Sequence, residues 1–182
     1  MYTDQLHQHY EAYFGIPGKK ITWDKGPLEK LHPDFYLLVF PPNSRQSLYT
    51  YCTVGMSAGD MAYLTELVVY APREEEGLAE LLAVCASYHR NKAPLLLYHT
   101  VNLGRPWLDQ SSCDHGFISY PWLDSPLAEV AVNGQTVYCY WYVPITEQER
   151  DYKVAHGHEA LEQLFEDQSL PYADPARTSL TS

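Results

Sequence analysis

The sequence is poor in basic residues. It has 12 lysines and arginines against 23 aspartates and glutamates, which gives a formal net charge of −11 at pH 7. Nucleic-acid binding depends on clustered Lys and Arg that neutralise phosphates, and binding to anionic membranes depends on polybasic segments. The composition therefore argues against nucleic-acid and membrane partners. It is compatible with a basic protein partner, although acidic charge also keeps a small protein soluble.

Long apolar runs and paired cysteines are also missing. No stretch approaches the length of a membrane span, and the first ten residues, MYTDQLHQHY, lack the basic and apolar regions of a secretory signal. The cysteines lie at positions 52, 85, 113 and 139 and form no CxxC pair. We therefore expect a cytoplasmic chain whose cysteines are free thiols.

The sequence also lacks the GxGxxG, P-loop and HExxH motifs, internal repeats and low-complexity linkers. Its 182 residues, 46% of them apolar, predict one domain with a substantial core. What is abundant is tyrosine, with 16 copies beside four tryptophans. Such residues suit both half-buried β-sheets and protein-binding surfaces, and composition leaves both interpretations open.

Apolar spacing predicts a mixed succession of helices and strands. Helices are expected over residues 1–14 and 74–90, and strands over 36–42, 48–54, 65–72, 95–102 and 116–121. Residues 128–143 read as a hairpin around Asn133-Gly134, because this pair tolerates the positive φ of a tight turn.

A last helix is expected to start at Thr146, which forms a capping box with Glu149, and to contain Gly157. The strands do not alternate regularly with helices, so a doubly wound dinucleotide fold is not expected. The predicted class is α/β (α+β), with a largely antiparallel sheet and helices packed on it.

The densest polar stretch is YHTVNLGRPWLDQSSCDHG, residues 98–116. His99, Cys113 and His115 are metal-ligand types, but a structural zinc site needs a second ligand pair, and none follows. His156 and His158 are two apart on a predicted helix and point in different directions. We therefore expect no metal and no cofactor.

The same stretch offers a nucleophile. Cys113 with His99 or His115, oriented by Asp114, would assemble a Cys–His hydrolase. Cys113, however, precedes a strand and not a helix, where its thiolate would be stabilised. A non-enzymatic chain is the preferred hypothesis, and a Cys/His hydrolase or metal-binding protein built on these four residues is the alternative.

Three further side chains of the stretch have two interpretations each. Arg105 either contacts a partner or fixes its loop through Asp114 or a backbone carbonyl. Asn102 is expected to bond its own backbone in a turn. Trp107 is either buried in the core or an exposed anchor, and the sequence does not separate these.

Four blocks resemble the suppressor of fused-like domain family. They are LHPDFYLLVFPPNSRQSLYTYCTVGMS, YHRNKAPLLLYHTVNLGRPW, SCDHGFISYPW and PITEQERDYKVAHGHEALEQLFE. The resemblance predicts one domain over residues 1–182, with its core at about 23–174 and an irregular tail at 175–182.

The resemblance implies a central mixed sheet flanked by helices, and no enzymatic activity. The animal member is a two-domain regulator that binds a segment of a transcription factor as an added β-strand between its lobes. This chain resembles one lobe, as do bacterial single-domain members, which look like immunity proteins of polymorphic-toxin systems. A protein partner is therefore expected, and a basic toxin domain is the candidate.

The resemblance also suggests where a partner binds. His99 matches a histidine on the peptide-binding strand. Tyr98 stands where the family has an acidic residue, so a phenol replaces an acceptor carboxylate at this position. Tyr88 matches a partner-contacting tyrosine. The predicted partner-binding residues are Tyr88, Tyr98, His99, Asn102, Arg105, Trp107, Asp114 and His115.

Overall fold

The computed structural model describes residues 1–26, 28–121 and 125–181. Trp122, which ends one of the four blocks, and Ser182, at the end of the predicted tail, lie outside the described residues. The described helices are α1 (Tyr2–Phe14), α2 (Glu76–Asn91), α3 (Ser125–Ala128), α4 (Glu147–His156) and α5 (His158–Asp167). The described strands are β1 (Lys19–Ile21), β2 (Tyr36–Phe40), β3 (Tyr49–Val54), β4 (Thr65–Ala71), β5 (Thr100–Asn102), β6 (His115–Ser119), β7 (Glu129–Val132) and β8 (Gln135–Ile145).

The strands form a single eight-stranded sheet in the order β1-β2-β3-β4-β8-β6-β5, with β7 paired to the first half of β8. β4 and β8 run parallel, and the other described pairs are antiparallel. This arrangement confirms the predicted α/β (α+β) class with a central, mixed and largely antiparallel sheet. Within the described residues, no helix is both long and apolar enough to cross a bilayer.

Each face of the sheet has its own apolar core. Alternation along β8 sends Cys139, Trp141 and Val143 to one face and Tyr140 and Tyr142 to the other. α1 and α5 cover the first face, and α2 covers the second. The predicted helices at 1–14 and 74–90 therefore sit on opposite sides of the sheet.

The local turn and cap signals of the sequence are confirmed. Asn133 and Gly134 have φ values of 51° and 78° and join β7 to β8 as a tight hairpin. The Thr146 hydroxyl accepts a hydrogen bond from the Glu149 amide, and the Glu149 carboxylate accepts one from the Thr146 amide.

Two predicted elements are wrong in extent. The strand expected over 95–102 shrinks to β5, because Leu97 and Tyr98 form a turn in which Tyr98 has a φ of 67°. The helix expected to run through Gly157 is two helices, since Gly157 adopts φ 91° and ψ 165° and separates α4 from α5. A side chain at this φ would be strained, so glycine permits the break.

Residues 175–181 form no helix or strand, and this segment is firmly attached to the rest of the fold. Arg177 is buried and donates two hydrogen bonds to the Glu149 carboxylate, at 2.7 and 2.8 Å. It also donates to the carbonyl of Pro144 at the end of β8. The tail therefore closes over the capped start of α4.

Candidate functional site

The polar stretch 98–116 forms the last edge of the sheet. β5 is the terminal strand, and it pairs with β6 antiparallel. The intervening loop folds back on itself, because the Leu103 amide donates to the Asp114 carbonyl and the Trp107 amide donates to the Cys113 carbonyl. The stretch is therefore a closed loop built around one edge strand.

The CDHG block supports this loop from inside. Gly116 lies beneath the ring of Tyr142, and a Cβ built there would come within 2.1–2.2 Å of that ring. His115 is only 2% exposed and its Nδ1 lies 2.7 Å from the Asp114 carboxylate. Both residues therefore occupy structural positions behind the edge strand.

The predicted Cys113 nucleophile has a poor environment for catalysis. Its thiol is buried, burial raises its pKa, and within the described residues it makes no hydrogen bond to an imidazole. A high pKa disfavours the thiolate that nucleophilic attack needs. His99 lies elsewhere, exposed, with Nδ1 bonded to the Leu96 amide of its own loop. No three His, Cys, Asp or Glu side chains are grouped to hold a metal in the described parts of the chain.

The structure settles the positions of the three ambiguous side chains. Arg105 is half-exposed and reaches α2, where it donates to the Gly77 carbonyl at 3.4 Å and lies 3.5 Å from the Glu80 carboxylate. Asn102 accepts a hydrogen bond from the Gly104 amide at 2.7 Å, which is the local turn expected from its sequence. Trp107 is 3% exposed and packs in the α2-side core.

A serine–histidine pair involves the GMS block, and sequence reasoning overlooked it. Residues 55–59, GMSAG, match the G-x-S-x-G pattern of hydrolases, and Ser57 Oγ lies 3.1 Å from His89 Nε2. Both side chains are buried. The helical periodicity of α2 and the GxSxG spelling were the signals that could have found them.

The hydrogen bonds of this pair oppose catalysis. His89 Nδ1 accepts from the Leu95 amide, so Nε2 carries the proton and faces Ser57 as a donor. Desolvation lowers the pKa of His89, which keeps the ring neutral. The Ser57 hydroxyl is held by both the amide and the carbonyl of Thr65. The pair therefore joins α2 to the β3–β4 turn and does not form a general-base dyad.

A buried carboxylate completes this turn. Glu66 accepts hydrogen bonds from the amides of Met56 and Ser57 and from the hydroxyls of Thr53 and Tyr2, at 2.7–3.2 Å. Burial raises the pKa of Glu66 to about 7, although the four hydrogen-bond donors act in the opposite direction and lower it. The Tyr2 bond attaches α1 to the centre of the sheet.

Tyr98, the departure from the family pattern, has a defined partner. Its ring stacks on His158, the first residue of α5, at 3.6 Å between centroids and 8° between planes. Its amide donates to the Ile118 carbonyl at 2.7 Å and so extends the pairing with β6. Burial raises the pKa of Tyr98, and the Glu162 carboxylate adds to the increase.

The outer side of β5 is open. Bonds from Leu103 to Asp114 and from Ile118 to His99 fix the ladder on the inner side. Antiparallel ladders alternate, so the backbone N–H and C=O groups of Thr100 and Asn102 point away from β6. Among the described residues no backbone group pairs with them.

The eight predicted partner-binding residues therefore separate. Tyr98, His99 and Asn102 lie along the open edge, Arg105 and Asp114 are partly exposed in the adjoining loop, and Tyr88 is 40% exposed on α2. Trp107 and His115 are interior. Sequence reasoning missed a group of aromatic residues around the start of β8, Tyr63, Tyr120, Tyr138 and Tyr140, which come from separate segments of the chain.

The family model described as Suppressor of fused protein (SUFU) matches residues 32–178. A crystal structure of a SUFU homologue from Neisseria gonorrhoeae superposes with a TM-score of 0.88 at 29% identity, covering 100% of this chain and 97% of that chain. No curated protein sequence matches the chain.

Two further solved structures share the fold at lower identity. The Sufu–Fu complex structure matches with a TM-score of 0.74 at 12% identity, covering 98% of this chain and 92% of that chain. Drosophila Suppressor of Fused matches with a TM-score of 0.72 at 13% identity, and the match covers 98% of this chain but 51% of that chain. The family match and the fold agree, and the chain belongs to the suppressor of fused family.

Proposed function

We propose that this chain is a non-enzymatic protein-interaction module that binds an extended segment of a partner protein along β5. The observation that carries the proposal is the open backbone of Thr100 and Asn102 at the end of the sheet. An exposed edge strand is a template for an added strand, in which backbone bonds give affinity and side chains give selectivity. The Sufu–Fu complex, in which a protein of this fold is bound to a protein partner, supports the proposal.

The short edge cannot supply the affinity by backbone pairing alone. Two residues offer four backbone groups, each worth about 0.5–1.5 kcal/mol net, or about 2–6 kcal/mol together. A micromolar complex needs about 8 kcal/mol. Side-chain contacts must supply the rest, and the candidates next to β5 are the exposed His99 and the half-buried Tyr98.

The partner we propose is a basic toxin domain, which the chain would neutralise in the cytoplasm as an immunity protein. The acidic composition supports a basic partner, since opposite charge accelerates encounter. The similarity to the homologue from Neisseria supports a role of the bacterial type. Four free, buried cysteines suit a reducing compartment.

The test removes one outward backbone donor. Proline at position 100 deletes the Thr100 N–H, and an edge strand tolerates proline where that N–H faces solvent. Thr100→Ala is the matched control, since it alters the side chain and keeps the donor. Proteins encoded beside the gene are co-expressed with the chain, and the dissociation constant of any stoichiometric complex is measured for each variant.

We expect Thr100→Pro to weaken the complex about tenfold or more, the equivalent of at least 1.4 kcal/mol, because the partner's carbonyl would be buried without a donor. Thr100→Ala should change it less than twofold. Wild-type binding by a folded Thr100→Pro variant would refute strand addition at β5. The immunity role is tested by survival of cells that express the neighbouring toxin. It is wrong if the wild-type chain protects against none of them.

A further inference from the structure

A second surface lies on the α2 side of the sheet, where a groove of about 500 Å³ opens over the start of β8. Its lining includes Tyr63 and Leu64 on one side, Leu96 and Leu97 on the other, and Tyr138 and Tyr140. Leu96 and Leu97 directly precede the β5 edge in the chain. The groove therefore adjoins the proposed binding edge without being part of it.

Stacked aromatic rings form one side of the groove. Tyr138 and Tyr140 are two residues apart on β8, so both face the same side of the sheet, and their rings lie 5.8 Å apart at 13°. Tyr120 packs edge-on against Tyr140 at 5.7 Å. Two neighbours are unusually accessible for aromatic residues, since Tyr63 is 51% exposed and Tyr120 is 39% exposed. Exposed tyrosines of this kind are enriched where proteins bind one another.

The charge around this aromatic surface is negative. Glu129 pairs with Tyr138 across the β7–β8 hairpin, so its exposed carboxylate lies on the same face as that ring. Asp60, also exposed, precedes the segment that carries Tyr63. The described residues that line the groove include no lysine or arginine. Burial raises the pKa of Tyr140 to about 12, and Glu129 is among the groups that add to this increase.

We propose that the groove binds an arginine-bearing extended segment of a partner protein. Its guanidinium would stack on the partly exposed ring of Tyr138 while pairing with the Glu129 carboxylate. Arginine suits this site better than lysine, because its flat guanidinium stacks on aromatic faces and pairs with a carboxylate at the same time. The inference rests on the proposed function in one respect, namely that the occupant belongs to a partner protein.

The test uses defined peptide probes and needs no natural partner. A fluorescent octapeptide of alternating arginine and serine is titrated to millimolar concentration against the purified chain in physiological salt. The comparison peptide carries citrulline, which keeps the planar shape of arginine and removes its charge. Glu129→Gln and Tyr138→Leu alter the site. Glu166→Gln on α5 and Tyr152→Leu on α4 make the same chemical changes elsewhere.

We expect the citrulline peptide to bind at least tenfold more weakly than the arginine peptide, and each site variant to weaken arginine-peptide binding at least fivefold. Both control variants should stay within twofold. Equal binding of the two peptides, or equal losses in Glu129→Gln and Glu166→Gln, would overturn the inference. If Tyr138→Leu does not fold, Tyr138→Phe keeps the ring and should retain binding, while the exposed Glu129→Gln decides the outcome.

The two proposals fail separately. Thr100→Pro should leave arginine-peptide binding unchanged, because the groove does not use the outer backbone of β5. Loss of peptide binding in that variant would show that the probe binds the edge and would overturn the groove. In the opposite case the groove binds no peptide, but Thr100→Pro still weakens the protein complex. That result would overturn this inference and leave the proposed function standing.

Discussion

Replacing Arg177 with methionine is expected to destabilise the fold by about 3–5 kcal/mol, the usual cost of breaking a buried ion pair by removing one partner. The guanidinium donates to both oxygens of Glu149 at 2.7 and 2.8 Å, and both side chains are almost wholly buried. The substitution leaves the Glu149 carboxylate without its counter-ion and removes a donor from the Pro144 carbonyl. Methionine preserves most of the apolar stem, so lost packing adds little.

The measurement is the free energy of unfolding from urea titration, with thermal unfolding as a second probe. For a chain of this length each kcal/mol shifts the unfolding midpoint by about 2–4 °C, so a decrease of roughly 6–20 °C is expected. Arg150→Met is the control. Arg150 pairs with Glu147 and Asp151 at the surface, and such exposed pairs contribute about 0–1 kcal/mol.

The reasoning would be refuted if Arg177→Met and Arg150→Met differed by less than about 1 kcal/mol. That result would mean that the tail does not lock the start of α4. A double variant with Glu149→Gln adds a check, because the two losses should not be additive when the residues act as one pair.

Three other outcomes are expected. Gly116→Ala should destabilise the chain by about 1–3 kcal/mol in urea unfolding, because the added Cβ would overlap the Tyr142 ring. The control is Gly77→Ala in the open first turn of α2, which should be neutral or stabilise the chain by up to about 1 kcal/mol. The pKa of Glu66 rises from about 4.5 in the unfolded chain to about 7 in the folded one, so the folded state holds the proton more tightly between these values. The free energy of unfolding should therefore fall as pH rises across this window, by up to about 1.4 kcal/mol per pH unit. Glu66→Gln should lack this slope. An unchanged slope in that variant would show that Glu66 is not its source. Cys113 should resist iodoacetamide in the folded chain and react only on unfolding, and rapid labelling at pH 8 would revive the hydrolase alternative.

Features specified by neighbouring residues could be predicted from the sequence. The Asn133-Gly134 turn and the Thr146–Glu149 cap depend on a few adjacent side chains, and both are present as predicted. The resemblance of four blocks predicted the family, which the match over residues 32–178 confirms. The turn and the cap could be predicted because each depends on neighbouring residues and not on the surrounding fold.

Features that depend on the assembled sheet could not be predicted in the same way. LLLYHTVN has the composition of a strand, but Tyr98 turns into the left-handed region and stacks on His158, sixty residues away in the sequence. Trp107 could be assigned to the interior only once the loop was seen folding under α2. The tyrosine groove was missed because no single segment contains it.

The groups named for the hydrolase alternative also depend on the assembled fold. Side chains of the right types occur in the sequence, but catalysis depends on their exposure and protonation. Cys113 is buried and makes no hydrogen bond to an imidazole among the described residues. The Ser57–His89 pair is close but buried, with the histidine proton directed at the serine. Residues that are close in sequence or in space are therefore not enough to identify a catalytic group. The directions of their hydrogen bonds are needed as well.

The most direct test of strand addition at β5 is residue-resolved amide hydrogen exchange, measured by NMR on the free chain and on its complex with a protein partner. The Thr100 and Asn102 amides face outward and should exchange quickly in the free chain. Binding should slow both of them about tenfold or more, because each gains an acceptor from the added strand. Unchanged exchange at these two amides, with protection appearing on another surface, would contradict the central claim.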